Sequence, residues 1–441
     1  MKCRALGWTR ASRSRSDFSP RGICADQDKR PQFSVAWPPG NDGSPVLLPI
    51  HEPLYTSRAA RSFSDVTAPG RAVKLLFWLC LILISYTYFG YAIYLRLYVG
   101  LRRRPIFQSP ITPSVSVVIA ARNEEARLPA KLENLRLLDY PQERIQIVVA
   151  SDGSTDRTAS ILREQANQIF SVILNESNGK AVALNEAVKL ATGDILVFLD
   201  VRQTVDANAV SELAACFADS EVGAVSGELL LETAPGLRSA DALGIYWKIE
   251  KTVRKLESAS GSVIGVTGAI YAIRRELYTE IPRGTLLDDV FVPMNVARMG
   301  KRVIFQPSAI ARDQLFSEKG KEFSRKVRTL TGNYQLLRLA PWLLSPANPL
   351  LFRFVSHKLL RLLVPLLLIL MLVASAMSGG PFFKAVFWLQ TLFYVLAILG
   401  TLSPSTRRFK PVAIANTFVM LNAAAALAFY NFAVGRNRVW V

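Results

Sequence analysis

Four long apolar runs constrain this chain more than any other feature. Val73 to Leu95 is roughly 23 residues long, enough to cross a hydrocarbon core of about 30 Å as a helix. Its tyrosines Tyr86, Tyr88, Tyr91 and Tyr94 crowd one end, as an interfacial aromatic belt does. Arg102, Arg103 and Arg104 follow, the pattern of a cytoplasmic flank. Three more runs lie near the far end. Spans are expected at 71–98, 359–377, 382–401 and 412–433. Arg407, Arg408 and Lys410 place the loop between the last two on the cytoplasmic side. Four spans then put the long intervening segment on that side as well, and parity sends the N-terminal tail to the other.

The tail, residues 1–70, is rich in Arg, Ser and Pro and has no apolar period, so it is expected to be disordered. An Arg- and Ser-rich, acid-poor start also resembles a transit peptide, and a start codon placed too far upstream would give the same composition. Residues 335–358, broken by Pro341, Pro346 and Pro349, are expected to be interfacial rather than spanning.

The formal net charge of +19 suits nucleic acid, anionic lipid heads or a phosphorylated substrate. No RNA-binding or zinc motif occurs and the basic residues form no single block, so lipid and phosphate rank above nucleic acid. Cys3, Cys24, Cys80 and Cys216 lie far apart and make no disulfide framework. The two histidines, His51 and His357, fall outside the segment described next. A His/Cys metal centre is therefore not expected there, and any general base should be a carboxylate.

Residues 114–334 change character. Short β-rich runs (Val115–Ala120, Ile145–Ala150, Ser171–Leu174, Ile195–Leu199, Val222–Leu230) alternate with helical stretches such as Arg157–Gln168 and Lys180–Leu190. That alternation predicts an α/β domain with a largely parallel sheet.

Four short segments in it carry the candidate chemistry. Asp152, in Ser151-Asp152-Gly153-Ser154-Thr155-Asp156, closes a buried strand and points to the crevice where α/β folds bind ligands; the plain alternative is a strand-turn-helix connector. Asp200, in Leu199-Asp200-Val201-Arg202, closes another, and two carboxylates at one crevice call for a cation between them. A divalent ion shared with a diphosphate would meet that need; the alternative is a helix cap. Asp288 and Asp289 sit between apolar residues, one able to orient and the other to take a proton, or both merely favouring a helix N-terminus. Arg325 and Arg328 share a helix face and could clamp phosphates or lie against lipid heads.

Taken in order, these segments resemble glycosyltransferase family two, of GT-A fold, in its membrane-bound branch of cellulose, chitin, hyaluronan and poly-N-acetylglucosamine synthases. The family's opening strand and Asn-Glu pair correspond to Val117-Val118-Ile119-Ala120-Ala121-Arg122-Asn123-Glu124-Glu125. Its nucleotide-binding aspartate corresponds to Asp152 and its glycine-lysine motif to Gly179-Lys180. Asp200 matches the first acid of DxD and would be the metal ligand. Gly268, with Arg274 and Arg275, resembles the strand beneath the acceptor, and Asp289 the last acid of TED, the catalytic base.

The resemblance implies an inverting hexosyltransferase that takes a nucleotide-sugar donor, with Mg²⁺ or Mn²⁺. It implies a saccharide or lipid acceptor, contact with membrane lipids, no nucleic acid partner, and a bacterial inner membrane with the catalytic domain in the cytoplasm. Asn123, Glu124, Asp152, Lys180, Asp200, Arg202, Asp288, Gly268, Arg325 and Arg328 would bind substrate. Two departures stand out. Arg202 replaces the second acid of DxD and is expected to reach a phosphate in its place. Arg325-Lys326-Val327-Arg328-Thr329 keeps only the arginine of QxxRW, which bears on processivity. A single transfer to a polyprenyl phosphate or other lipid is the alternative; a non-catalytic scaffold and a transporter are the other readings.

Overall fold

The structure is a computed structural model. It describes residues 68–233, 241–315 and 321–435, so the expectation for the tail before residue 68 lies outside the described residues.

The chain enters through α1 (Ala68–Ser85), which continues through a π-helical turn at Tyr86–Gly90 into α2 (Tyr91–Leu101). The α/β part follows. Its first half alternates: β1 (Val115–Ala121), α3 (Leu128–Arg136), β2 (Ile145–Asp152), α4 (Thr158–Glu164), β3 (Phe170–Leu174), α5 (Lys180–Leu190) and β4 (Ile195–Leu199). The second half is less regular: β5 (Thr204–Val205), α6 (Ala209–Ala215), β6 (Val222–Thr233), α7 (Asp241–Ala259), β7 (Ile270–Arg274), α8 (Asp288–Arg298) and β8 (Arg302–Leu315).

These strands make one sheet of eight in the order β3-β2-β1-β4-β7-β6-β8-β5. β3, β2, β1 and β4 are parallel neighbours, and β6 and β8 are parallel; β7 runs antiparallel to both of its neighbours. The α/β class and the five strands read from sequence are present. β5, β7 and β8 extend the sheet beyond them, and the antiparallel β7 makes it mixed. Both faces are covered. Val118, Phe198, Tyr271 and Leu184 pack on one side, and Val117, Ile119, Val197 and Leu213 on the other. Burial on two faces explains why β1 and β4 read as unbroken apolar runs rather than alternating ones.

Downstream, α9 (Lys321–Leu339) leads to a short turn at Pro341–Leu344 and to α10 (Leu351–Phe354). A second π-helical turn, Val355–Leu359, joins α10 to α11 (Leu360–Met377). The last two helices are α12 (Pro381–Leu402) and α13 (Lys410–Ala433). Among the described residues four helices are long and apolar enough to cross a membrane: Gly70–Leu101, Leu351–Met377, Pro381–Leu402 and Lys410–Ala433. Their outward faces remain apolar, with Trp388, Leu389 and Ile398 all exposed, as a lipid-facing surface requires.

The two π-helical turns meet, with the Tyr86 hydroxyl 2.8 Å from that of Ser356. Just below, Tyr91 donates to Glu257 at 2.7 Å, and His357 lies 3.0 Å from Glu257 and 3.2 Å from Glu250. Arg361 closes on Glu250 at 2.8 Å. A neutral hydroxyl from α2 and the basic side chains His357 and Arg361 of the helix Leu351–Met377 thus join α7 to two apolar helices. These are partners each group needs, because an unpaired charge at that depth would be costly.

Candidate active site

The carboxyl ends of β1, β2 and β4 lie side by side at one edge of the sheet, and most of the sequence candidates gather there. At the end of β1 Asn123 adopts φ +54°, a conformation that only asparagine, aspartate and glycine reach readily. Its side-chain oxygen accepts from the Thr155 amide at 2.8 Å, and its own amide donates to Ser154 at 3.2 Å. The Glu124 amide donates to Thr158 at 2.8 Å, and the Glu125 amide to Asp156 at 3.0 Å. The Asn-Glu pair and the segment after β2 are therefore one stitched wall.

Asp152 ends β2 with no exposed surface. Its carboxylate accepts from Ser177 at 2.9 Å and from the amides of Asn178 and Gly179 at 2.7 and 2.9 Å. The sequence reading set Asp152 against a ligand. Here its oxygens shape the loop that precedes α5. Gly153, at φ +57°, is pressed against that loop: a Cβ there would lie 2.3 Å from the Ser177 nitrogen, so no other residue fits without moving backbone.

The same loop delivers Lys180 as the first residue of α5. Its ammonium lies 3.1 Å from Asp200 and 3.3 Å from Asp288. Burial opposes its charge, yet the carboxylates of Asp200 and Asp288 hold it well above the ordinary lysine range. One cation thus ties together the ends of β4, α5 and α8. The sequence reading called for a cation between Asp152 and Asp200; Lys180 lies instead between Asp200 and Asp288.

Asp288 and Asp289 open α8. Asp288 is buried; Asp289 is aimed past Gly268, whose missing side chain leaves ordinary contact distance to the carboxylate, 3.6 Å from a virtual Cβ. Burial, and then the charge of Asp288, push the Asp289 carboxyl up to about 6, against the pull of Lys358, Lys180 and Arg254. One of its oxygens is buried without a hydrogen-bond partner. Arg254 donates to Thr267, beside Gly268, at 2.6 Å.

α9 supports this corner. Gln335 accepts from the Leu286 amide at 2.9 Å and donates to the Gly284 carbonyl at 2.8 Å, and Gly332 lets the helix press on Leu287. Arg325 and Arg328 share that helix face by spacing.

Arg202 is placed differently from its expectation. It binds the buried Asp313 of β8 at 2.6 Å, and Gln203 donates to the same oxygen at 3.0 Å. Its charge is thereby spent on a protein carboxylate. Sequence reasoning missed Asp313, because β8 is broken by Pro307 and by polar residues. It also missed Lys131, whose amine is buried in the apolar face of α3 and donates to the Gln203 carbonyl at 2.8 Å. Burial pulls Lys131 down to about 8, offset in part by Asp200.

As for a metal, no group of three or more His, Cys, Asp or Glu side chains is placed to hold one among the described residues. Asp200 offers a single carboxylate, over a third exposed to solvent. That suits an ion such as Mg²⁺, which takes one or two carboxylates and completes its shell with phosphates and water.

A parallel sheet with acids at its carboxyl edge, an antiparallel strand inserted beside them and a second acid pair on a later helix define the GT-A class of glycosyltransferases. A mannosyltransferase from Pyrobaculum calidifontis, solved with GDP-Man and Mn²⁺, shares this fold at TM-score 0.60 and 24% identity, over 81% of this chain and 99% of that one. Residues 116–281 match the family model Glycosyl transferase family 2, and the chain carries a domain of that family. Poly-beta-1,6-N-acetyl-D-glucosamine synthase of Staphylococcus aureus (strain COL) is 23% identical over 244 residues, which are 54% of this chain and 59% of the synthase. Probable glycosyltransferase YdaM of Bacillus subtilis is 29% identical over 217 residues, 46% of this chain and 51% of the relative. The matched region thus spans between half and three-fifths of these relatives.

Proposed function

We propose that the protein is an inverting glycosyltransferase that moves a sugar from a nucleotide-diphosphate donor to a saccharide or lipid-linked acceptor at a membrane. The observation that carries this is the Lys180 junction: one ammonium between Asp200 and Asp288, with Asp289 one residue on and raised toward neutrality. The donor fits the crevice between the Asn123–Glu125 wall and the loop held by Asp152. Lys180 meets the diphosphate, and Arg325 and Arg328 approach it from α9. A divalent ion, held by Asp200 and the diphosphate, would supply Lewis-acid stabilisation of the departing nucleotide. Asp289, beside the space left by Gly268, takes the proton from the acceptor hydroxyl. A carboxylate tuned near 6 is mostly ionised at neutral pH yet basic enough to accept it.

The four apolar helices support a membrane enzyme, and their arginine-rich flanks support a cytoplasmic catalytic side at a bacterial inner membrane. The synthase relative favours polymer formation; the altered Arg325–Thr329 segment favours a single transfer, and product sizing separates the two. The test of the activity is a panel of UDP- and GDP-sugars scored by nucleotide release, with and without a chelator. Acceptor-dependent release that the chelator abolishes supports the reading. No release with any donor would favour the scaffold reading.

A further inference from the structure

A second cavity lies at the opposite edge of the sheet. β6 and β8 run parallel to each other and in the same sense as β4, so their starts face away from the acids of the active site. At those starts is a cavity of about 570 Å³, lined by Arg104, Lys301, Arg302 and Arg353 with Glu221 as its acid. Two membrane-associated segments build its wall. Arg104 follows the end of α2 by three residues, and Arg353 lies in α10, at the start of the apolar helix Leu351–Met377.

The cations are fixed in place, two of them chiefly by backbone carbonyls. Arg302 donates to the carbonyls of Gly261, Pro105 and Arg104, and Arg353 to those of Glu257, Ser260 and Ser262. Carbonyls orient a guanidinium but do not neutralise it. Glu221 is shared between Arg104 at 3.1 Å and Arg302 at 3.9 Å. Burial, and the like charges of Arg104 and Arg353, pull the Arg302 guanidinium below its ordinary range, against the opposing charges of Asp219 and Glu221. Four cations line the cavity against one lining carboxylate, Glu221, with Asp219 nearby, a positive excess that an added anion would offset. Met299 lines the cavity and is half exposed, and Leu101 and Phe352, near Arg104 and Arg353 in the chain, are also at least half exposed.

We propose that this cavity binds the phosphate of an anionic membrane lipid, its acyl chains lying against Leu101, Phe352 and Met299. Basic pockets between membrane helices on the cytoplasmic side take such headgroups. A soluble phosphate has the same chemistry at the headgroup but makes no use of the apolar rim. The inference rests on the reading of the apolar helices as membrane spans. Bound there, the lipid would clamp the exit of the first span to the entry of the second, against the end of α7.

The test uses the full chain in detergent micelles, with native mass spectrometry and thermal unfolding. Phosphatidylglycerol, phosphatidylcholine and inorganic phosphate are added in separate arms to wild type and to the double variant Arg104→Gln/Lys301→Gln. Both substituted side chains lie at the cavity wall and hold no core together. The expected result is one more phosphatidylglycerol retained by wild type than by the variant, an apparent affinity about tenfold higher, and a rise in Tm that phosphatidylcholine does not give. Equal retention by the two proteins would overturn the site and leave the membrane spans standing. Protection by inorganic phosphate equal to that by the lipid would overturn the lipid assignment.

Discussion

Arg202 and Asp313 form an ion pair of 2.6 Å across the end of β4 and the strand β8. Arg202 stands where related enzymes carry a second metal-binding acid, so its partner decides what the substitution means. Asp313 is nearly fully buried and needs a positive neighbour; Arg202 provides it. Arg202→Ala should therefore cost stability, about 1–3 kcal/mol from the carboxylate left short of a donor. Arg202→Asp should cost more, by adding like charge. Urea unfolding of the two variants in micelles checks the order. An unchanged midpoint in both would mean that Asp313 finds another donor.

Asp289→Asn should reduce transfer by about 10²–10⁴-fold while leaving donor affinity nearly unchanged, because the amide keeps the size and loses the base. Activity retained in Asp289→Asn but lost in Asp288→Asn would move the base to Asp288.

The pH profile follows from the raised Asp289 carboxyl. Only the ionised form accepts a proton, so kcat/KM should fall as the pH drops through about 6. A break near 4 instead would mean that neither burial nor Asp288 tunes the group during turnover.

Gly153→Ala should unseat the loop before Lys180, since a Cβ would meet the Ser177 and Glu176 backbone. Donor affinity should fall at least tenfold, and amide exchange at Asn178 and Gly179 should speed up together. Loss of affinity without a change in exchange would contradict the coupling.

Much of this was legible in the sequence, and the reasons for the rest are physical. β1 and β4 announce themselves because both of their faces are buried, and Gly179-Lys180 marks the start of α5 because a glycine at φ +94° precedes it. The apolar runs declare four membrane-length helices by length alone. What sequence reading could not show was pairing across long separations. Asp152 reads as a ligand-facing acid until Ser177, Asn178 and Gly179 are seen on it. Lys180 reads as a residue for the diphosphate alone until Asp200 and Asp288 are seen around it. Asp313 lies in a strand that Pro307 and its bulged pairing with β6 disguise. His357 reads as a residue outside the soluble domain, yet it closes on Glu250 and Glu257 of α7.

The most direct test compares wild type and Asp289→Asn in one experiment, with donor binding by calorimetry and single-turnover transfer followed by NMR of the anomeric proton. Inverting transfer with Asp289 as base requires a product of opposite anomeric configuration from wild type, and from the variant equal donor affinity with transfer slowed at least a hundredfold. Retained configuration, or a variant that transfers at the wild-type rate, would contradict it.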